Sequence, residues 1–140
     1  MESGSETDVR IGLQKILDGI SPGRFGCKER KTSGESAIGK PVDLEIYFIE
    51  QHQRVVVCVE VANVNTTQLV GETCRLYYDT CYLKLLILGD RNVPPSGREQ
   101  SEHLLSKLYG QDEIRNTPAR VAWYYQDDYI ATVLKELLLI

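Results

Sequence analysis

Residues Val42–Asn63 read VDLEIYFIEQHQRVVVCVEVAN, and the fold turns on how this stretch pairs with itself. From Val42 to Glu50 the residues alternate, with Leu44, Ile46 and Phe48 on one face and Asp43, Glu45 and Tyr47 on the other, the period of a half-buried strand. Arg54 to Ala62 (RVVVCVEVA) is apolar on both faces, which predicts a central strand covered on both sides. A tight turn centred on His52-Gln53 sets Gln51 opposite Arg54, Glu45 opposite Glu60 and Asp43 opposite Ala62. Directly opposed side chains have Cβ atoms ~5 Å apart. Asp43, Glu45 and Glu60 then crowd one face, and their repulsion must be offset by solvent, by a basic side chain or by a divalent cation. Solvent accounts least well for Glu60, which lies deep in an apolar strand.

Outward from the hairpin, Asp8–Ile20 places Val9, Leu13, Ile16, Leu17 and Ile20 on one helical stripe, with Ser5 or Thr7 as N-cap. Ser21-Pro22-Gly23 ends it. Residues 24–31 predict a short polar strand, the weakest of the series. After the hairpin, Thr66–Thr80 predicts a helix capped by Asn65 or Thr66, and Tyr82–Leu88 a strand. Arg98–Tyr109 follows as a helix, Arg120–Gln126 as a strand and Asp127–Leu139 as an amphipathic helix capped by Asp127 or Asp128. The order is α-β-β-β-α-β, then α-β-α.

A chain of 140 residues suits one domain with a sizeable core, and 1–140 is read as a single unit. The composition, 42% hydrophobic and 26% charged, is that of a globular protein. No apolar run reaches the ~18 residues of a membrane span, and the polar start MESGSETD has no secretory h-region. A cytoplasmic protein with no membrane partner is expected. The net charge of −4 argues against coating nucleic acid through bulk charge. Arg24, Lys28, Arg30, Lys31 and Lys40 nevertheless outnumber Glu29 and Glu35 in their segment. Such an arm suits phosphate contacts or a solvated loop. Cys27, Cys58, Cys74 and Cys81 show no metal spacing with His52 or His103. Cys74 and Cys81, two turns apart on one predicted helix, are too distant to bridge, and small buried hydrophobes are the reading for most of the four.

Gly34–Lys40 (GESAIGK) has the glycine and lysine spacing of a phosphate-binding loop. Pro41 stands where Ser or Thr is required, and a strand follows in place of a helix. The motif is a coincidence.

The element order, Pro41-Val42-Asp43 and Glu60-Val61-Ala62 together resemble the PD-(D/E)XK, or restriction-endonuclease-like, nucleases over residues 8–90. The resemblance implies an α/β αβββαβ core with a mixed central sheet flanked by helices. It further implies a magnesium- or manganese-dependent DNA endonuclease. Asp43 and Glu60, with the Val61 carbonyl, would hold the metal, which polarises the phosphate and lowers the pKa of a bound water. DNA is the expected partner, contacted through Lys28, Arg30, Lys31 and Lys40, and a homodimer is compatible with the family. Glu45 is either a second acidic ligand or a surface charge, the latter being favoured.

The departure is Ala62, at the position where the family usually carries the catalytic lysine. Three explanations stand side by side. The lysine has moved to Lys84 or Lys40, catalysis has been lost and binding kept, or the alanine is an engineered substitution. The rival class is a non-catalytic nuclease-fold module that binds nucleic acid or protein. Gln68 and Arg75 on the following helix are read as surface residues, and Trp123 and Tyr125 as core in preference to base-stacking platforms.

Overall fold

A computed structural model describes residues 1–30, 42–63 and 66–140, the side chains of 66 and 67 excepted. Lys31, Lys40, Pro41, the GESAIGK segment and the Asn65 cap lie outside the described residues. Among the described residues five strands form one sheet in the order β1-β2-β3-β4-β5. They are β1 (Phe25–Glu29), β2 (Leu44–Phe48), β3 (Val55–Ala62), β4 (Leu83–Leu88) and β5 (Ala119–Trp123). The first three pair antiparallel and β3, β4 and β5 pair parallel. The change of sense follows from the connections. Six residues between β2 and β3 allow only an antiparallel return, whereas each parallel step crosses over through a helix.

The helices are α1 (Glu6–Ile20), α2 (Thr66–Tyr78), α3 (Pro95–Leu108) and α4 (Asp127–Leu138), with a 3-10 turn at Ile114–Asn116. Ser5 caps α1, its hydroxyl accepting from the Asp8 N–H at 3.2 Å, and Glu6 and Asp8 complement the dipole in the first turn. α3 begins three residues before the expected Arg98, because Pro95 occupies the first turn, where its missing N–H costs nothing.

The two faces of the sheet are covered differently. On one, α1 and α4 bring Val9, Leu13, Leu17, Ile130, Val133 and Leu134 against Leu44, Ile46, Val57, Val59, Leu85 and Ile87. On the other, α2 and α3 bring Leu69, Leu76 and Leu105 against Cys58, Ala62, Leu86 and Leu88. Strand alternation sends Glu60 and Lys84 to this second face, and both are buried there. Among the described residues no helix is long and apolar enough to cross a membrane.

The hairpin register differs from the expected one by two residues at the acids. Leu44 pairs with Val59, Glu45 with Cys58 and Ile46 with Val57, and a bulge between Ile46 and Tyr47 shifts Tyr47 onto Val55. His52 and Gln53 both take positive φ, 52° and 57°. The Phe48 N–H closes the turn on the Arg54 carbonyl at 2.9 Å. The loop is therefore longer than a two-residue turn. Continuing the observed register sets Asp43, not Glu45, beside Glu60.

Candidate functional site

Glu60 is the centre of the site. It lies one turn of the pleat before the end of β3 and is 1% exposed, and neither carboxylate oxygen has a hydrogen-bond partner among the described residues. Asp43 lies just before β2, and its Oδ2 accepts the Val61 N–H at 2.9 Å. That bond follows from the sheet. The Ala62 carbonyl accepts from the Gly89 N–H on the β4 side, so the Val61 N–H and carbonyl turn the opposite way, towards β2 and Asp43.

From α2, Glu72 closes on the same point, and Arg75 reaches both acids, its Nη1 3.1 Å from Glu72 Oε2 and 3.7 Å from Glu60 Oε1. The spacing of Glu72 and Arg75, three residues apart on a helix, places them on one side. Burial, then the Asp43 and Glu72 carboxyls, push the Glu60 carboxyl up to about 11 from its ordinary 4.5. The Arg75 contact at 3.7 Å is too long and too wet to reverse this. Without a further cation Glu60 therefore keeps its proton at neutral pH.

Ala62 shares Glu60's face but does not open onto it. Its methyl is fully buried in the apolar cluster with Leu69, Leu86 and Leu88. Lys84 lies two residues along the neighbouring strand from the position paired with Glu60, opposite Cys58. Its ammonium donates to the backbone carbonyls of Tyr77 and, at 2.9 Å, Asp79, and it lies over the Tyr77 ring at 5.3 Å. It thus closes the C-terminus of α2, where cations are favoured, and burial lowers its pKa. Arg75, read from the sequence as a surface side chain, is the basic group that the fold brings to Glu60. No local signal marks it, since the contact crosses from helix to sheet.

Two of the four expected phosphate contacts are within the described residues, and both are engaged internally. Lys28 Nζ is 3.5 Å from Glu45 and 3.0 Å from the Gln53 side-chain oxygen. Arg30 pairs with Asp79 and reaches Glu45 at 3.5 Å. Glu45 is accordingly neither a metal ligand nor an open surface charge but the buried partner of these two bases. Trp123 is buried as expected and Tyr124 is buried beside it, whereas Tyr125, expected in the core, is exposed because β5 ends at Trp123. The Tyr125 ring stacks on Trp123 at 6.1 Å, and the Arg98 guanidinium lies over the indole at 5.2 Å.

Among the described residues no group of three His, Cys, Asp or Glu side chains forms a ready-made metal cage. The donors present do fit a hard cation held in part by solvent. Magnesium is commonly bound by one or two carboxylates, keeping several waters, in preference to an all-protein cage. The carboxyl oxygens of Glu60 and Asp43 and the Val61 carbonyl are donors of that type. No protein-family profile matches this chain, and no curated protein matches it.

Proposed function

We propose that this chain is a restriction-endonuclease-like domain that holds magnesium or manganese between Asp43 and Glu60 and hydrolyses phosphodiester bonds in DNA. The observation that carries the reading is Glu60, a carboxyl buried in the sheet among the Asp43 and Glu72 carboxyls with no donor group aimed at either oxygen. Carboxyls crowded together in a buried site repel once ionised, and one of them must stay protonated unless a cation joins them. A scaffold gains nothing by it, whereas a cation site needs it. The element order and the mixed sheet support the same fold.

In this arrangement the Val61 N–H orients Asp43, and Glu60 gives up its proton as the cation enters. The metal, when bound, supplies Lewis-acid polarisation of the phosphate and a more acidic water. Arg75 takes the electrostatic part that Ala62 lacks, placing a guanidinium where charge develops on the phosphate. The second reading, a module that binds without cutting, is favoured by the burial of Ala62 in apolar contacts and by the engagement of Lys84 in closing α2.

Titration calorimetry with manganese separates the readings. Binding is expected in the unmodified protein and lost in Asp43→Ala and Glu60→Ala. In buffers of different ionisation enthalpy it should release about one proton at pH 7, because metal ligands must deprotonate. Cleavage of single-stranded, duplex or branched DNA should accompany it and fall ~10²–10³-fold in Arg75→Met. Metal binding without cleavage of any of these substrates establishes the second reading. No binding at millimolar metal overturns the cation site.

A further inference from the structure

A second polar cluster lies two residues earlier on the same face of β3, and the nuclease reading makes no use of it. Cys58 is fully buried, and its Sγ donates to Asp79 Oδ1 at 2.8 Å. Cys81, in the connection before β4, is half-buried, and its N–H donates to the same Oδ1 at 3.0 Å. Cys81 Sγ lies 3.4 Å from the Val56 and Leu83 carbonyls, so both cysteines meet at the Asp79 carboxylate. The sequence reading placed Cys81 on a helix with Cys74. The helix ends at Tyr78 instead, so Cys81 turns back under the sheet to Cys58.

The cluster is also reachable from solvent. Cys81 lines a cavity of about 490 Å³ between the β2–β3 turn and the start of β4, together with Arg30, Arg54, Thr80 and Tyr82. We propose that Cys81 and Cys58 form a hydroperoxide-reactive dithiol site, with Cys81 as the attacking thiol and Cys58 as the resolving one.

The chemistry balances as follows. The Cys81 sulfur attacks one oxygen of the hydroperoxide, the O–O bond breaks, and water or an alcohol leaves, giving a sulfenic acid at Cys81. Cys58 then attacks that sulfur, its proton leaves with the hydroxyl as water, and a Cys58–Cys81 disulfide forms. Two thiols are oxidised by two electrons and the peroxide is reduced by two. A dithiol reductant reverses the step by exchange. The division of labour follows from the surroundings. Cys81 borders the cavity in company with the cationic side chains of Arg30 and Arg54, which favour a thiolate there. A thiol of that kind at a cavity wall is the reactive one. Cys58, buried behind it, meets the sulfenic acid and not the bulk oxidant.

The test treats the unmodified protein with equimolar hydrogen peroxide, denatures it, alkylates the free thiols and maps the peptides. The expected result is a fall from four alkylatable cysteines to two, with a Cys58–Cys81 cross-linked peptide that dithiothreitol releases. Cys27→Ser and Cys74→Ser should retain the cross-link. In Cys58→Ser, Cys81 should stop at the sulfenic acid and be trapped by dimedone. Should that variant not fold, the peptide map of the unmodified protein decides alone. Four thiols remaining, a cross-link between another pair, or Cys81 oxidised without joining Cys58 would overturn the proposal.

Discussion

Two clusters of ionisable groups are buried on the same face of the sheet, and they are satisfied to different degrees. At the β3 start, Arg30, Glu45, Cys58, Asp79 and Lys84 are all partnered. Asp79 alone accepts from Arg30, the Cys58 thiol and the Cys81 N–H. Although burial opposes it, these bonds hold the Asp79 carboxyl below its usual value. At the β3 end, Glu60 has carboxylates for neighbours and one distant guanidinium. One face of the sheet thus meets both an acid kept ionised, Asp79 just past the end of α2, and an acid kept protonated, Glu60 on β3. The difference lies in the donors aimed at each, because both are buried. Satisfied charge fastens α2 and β1 to the sheet. The acid left without a donor is the place where the proposed cation would bind.

Removing the hub of the satisfied cluster should give the largest effect. Asp79→Ala leaves Arg30 without its closest acid and the Cys58 thiol and Cys81 N–H without an acceptor. Breaking a buried pair from one side commonly costs about 3–5 kcal/mol. A loss near about 3 kcal/mol is expected in urea unfolding, since Arg30 retains its contact with Glu45. A loss below about 1 kcal/mol would mean that the cluster is dispensable and the contrast between the two ends is false.

The unsatisfied end should respond with the opposite sign. Folded Glu60 holds its proton to about 11, while the unfolded chain releases it near the ordinary carboxylate value. Between those values the folded state binds one more proton than the unfolded one. Stability is therefore fullest below the unfolded value and drains as pH rises, by at most about 1.4 kcal/mol per pH unit. Glu60→Gln keeps the shape and removes the titration, so it should flatten this slope and stabilise the metal-free protein at alkaline pH. Urea midpoints of both proteins at pH 5.5 and 8.5 measure this. Parallel slopes would show that Glu60 is ionised in the fold and already partnered.

Much of this architecture was legible from residue order, and the failures have identifiable physics. Periodicity located every helix and strand to within a few residues, because the apolar stripes of α1, α4 and β3 are uninterrupted. Asp43 and Glu60 stood out as acids among Val, Ile and Phe. The register did not follow, since the turn uses His52 and Gln53 in left-handed conformations where Asn or Gly would have signalled it. That shift moved Asp43 to Glu60's side and Glu45 to the basic pair Lys28 and Arg30. Arg75 and Cys81 were missed for a related reason. Each acquires its partner across the fold, and no spacing along the chain records that.

The smallest effect belongs to Lys28, and it sharpens the boundary between the clusters. Its side chain is 39% exposed, with Glu45 at 3.5 Å and the Tyr47 ring at 4.7 Å. Tyr47 itself lies over Gly26, where an added Cβ would meet its ring at 2.4 Å, so the lysine rests on an aromatic already seated by the sheet. An exposed pair of this kind is worth about 0.2–1 kcal/mol, and an exposed cation over a ring about 0.5–1 kcal/mol. Lys28→Ala should therefore cost less than about 1 kcal/mol and lose most of that cost in high salt. If DNA binds here, the same substitution should lower the slope of log affinity against log salt by about 0.9. An unchanged slope would show that Lys28 serves Glu45 and Tyr47 alone.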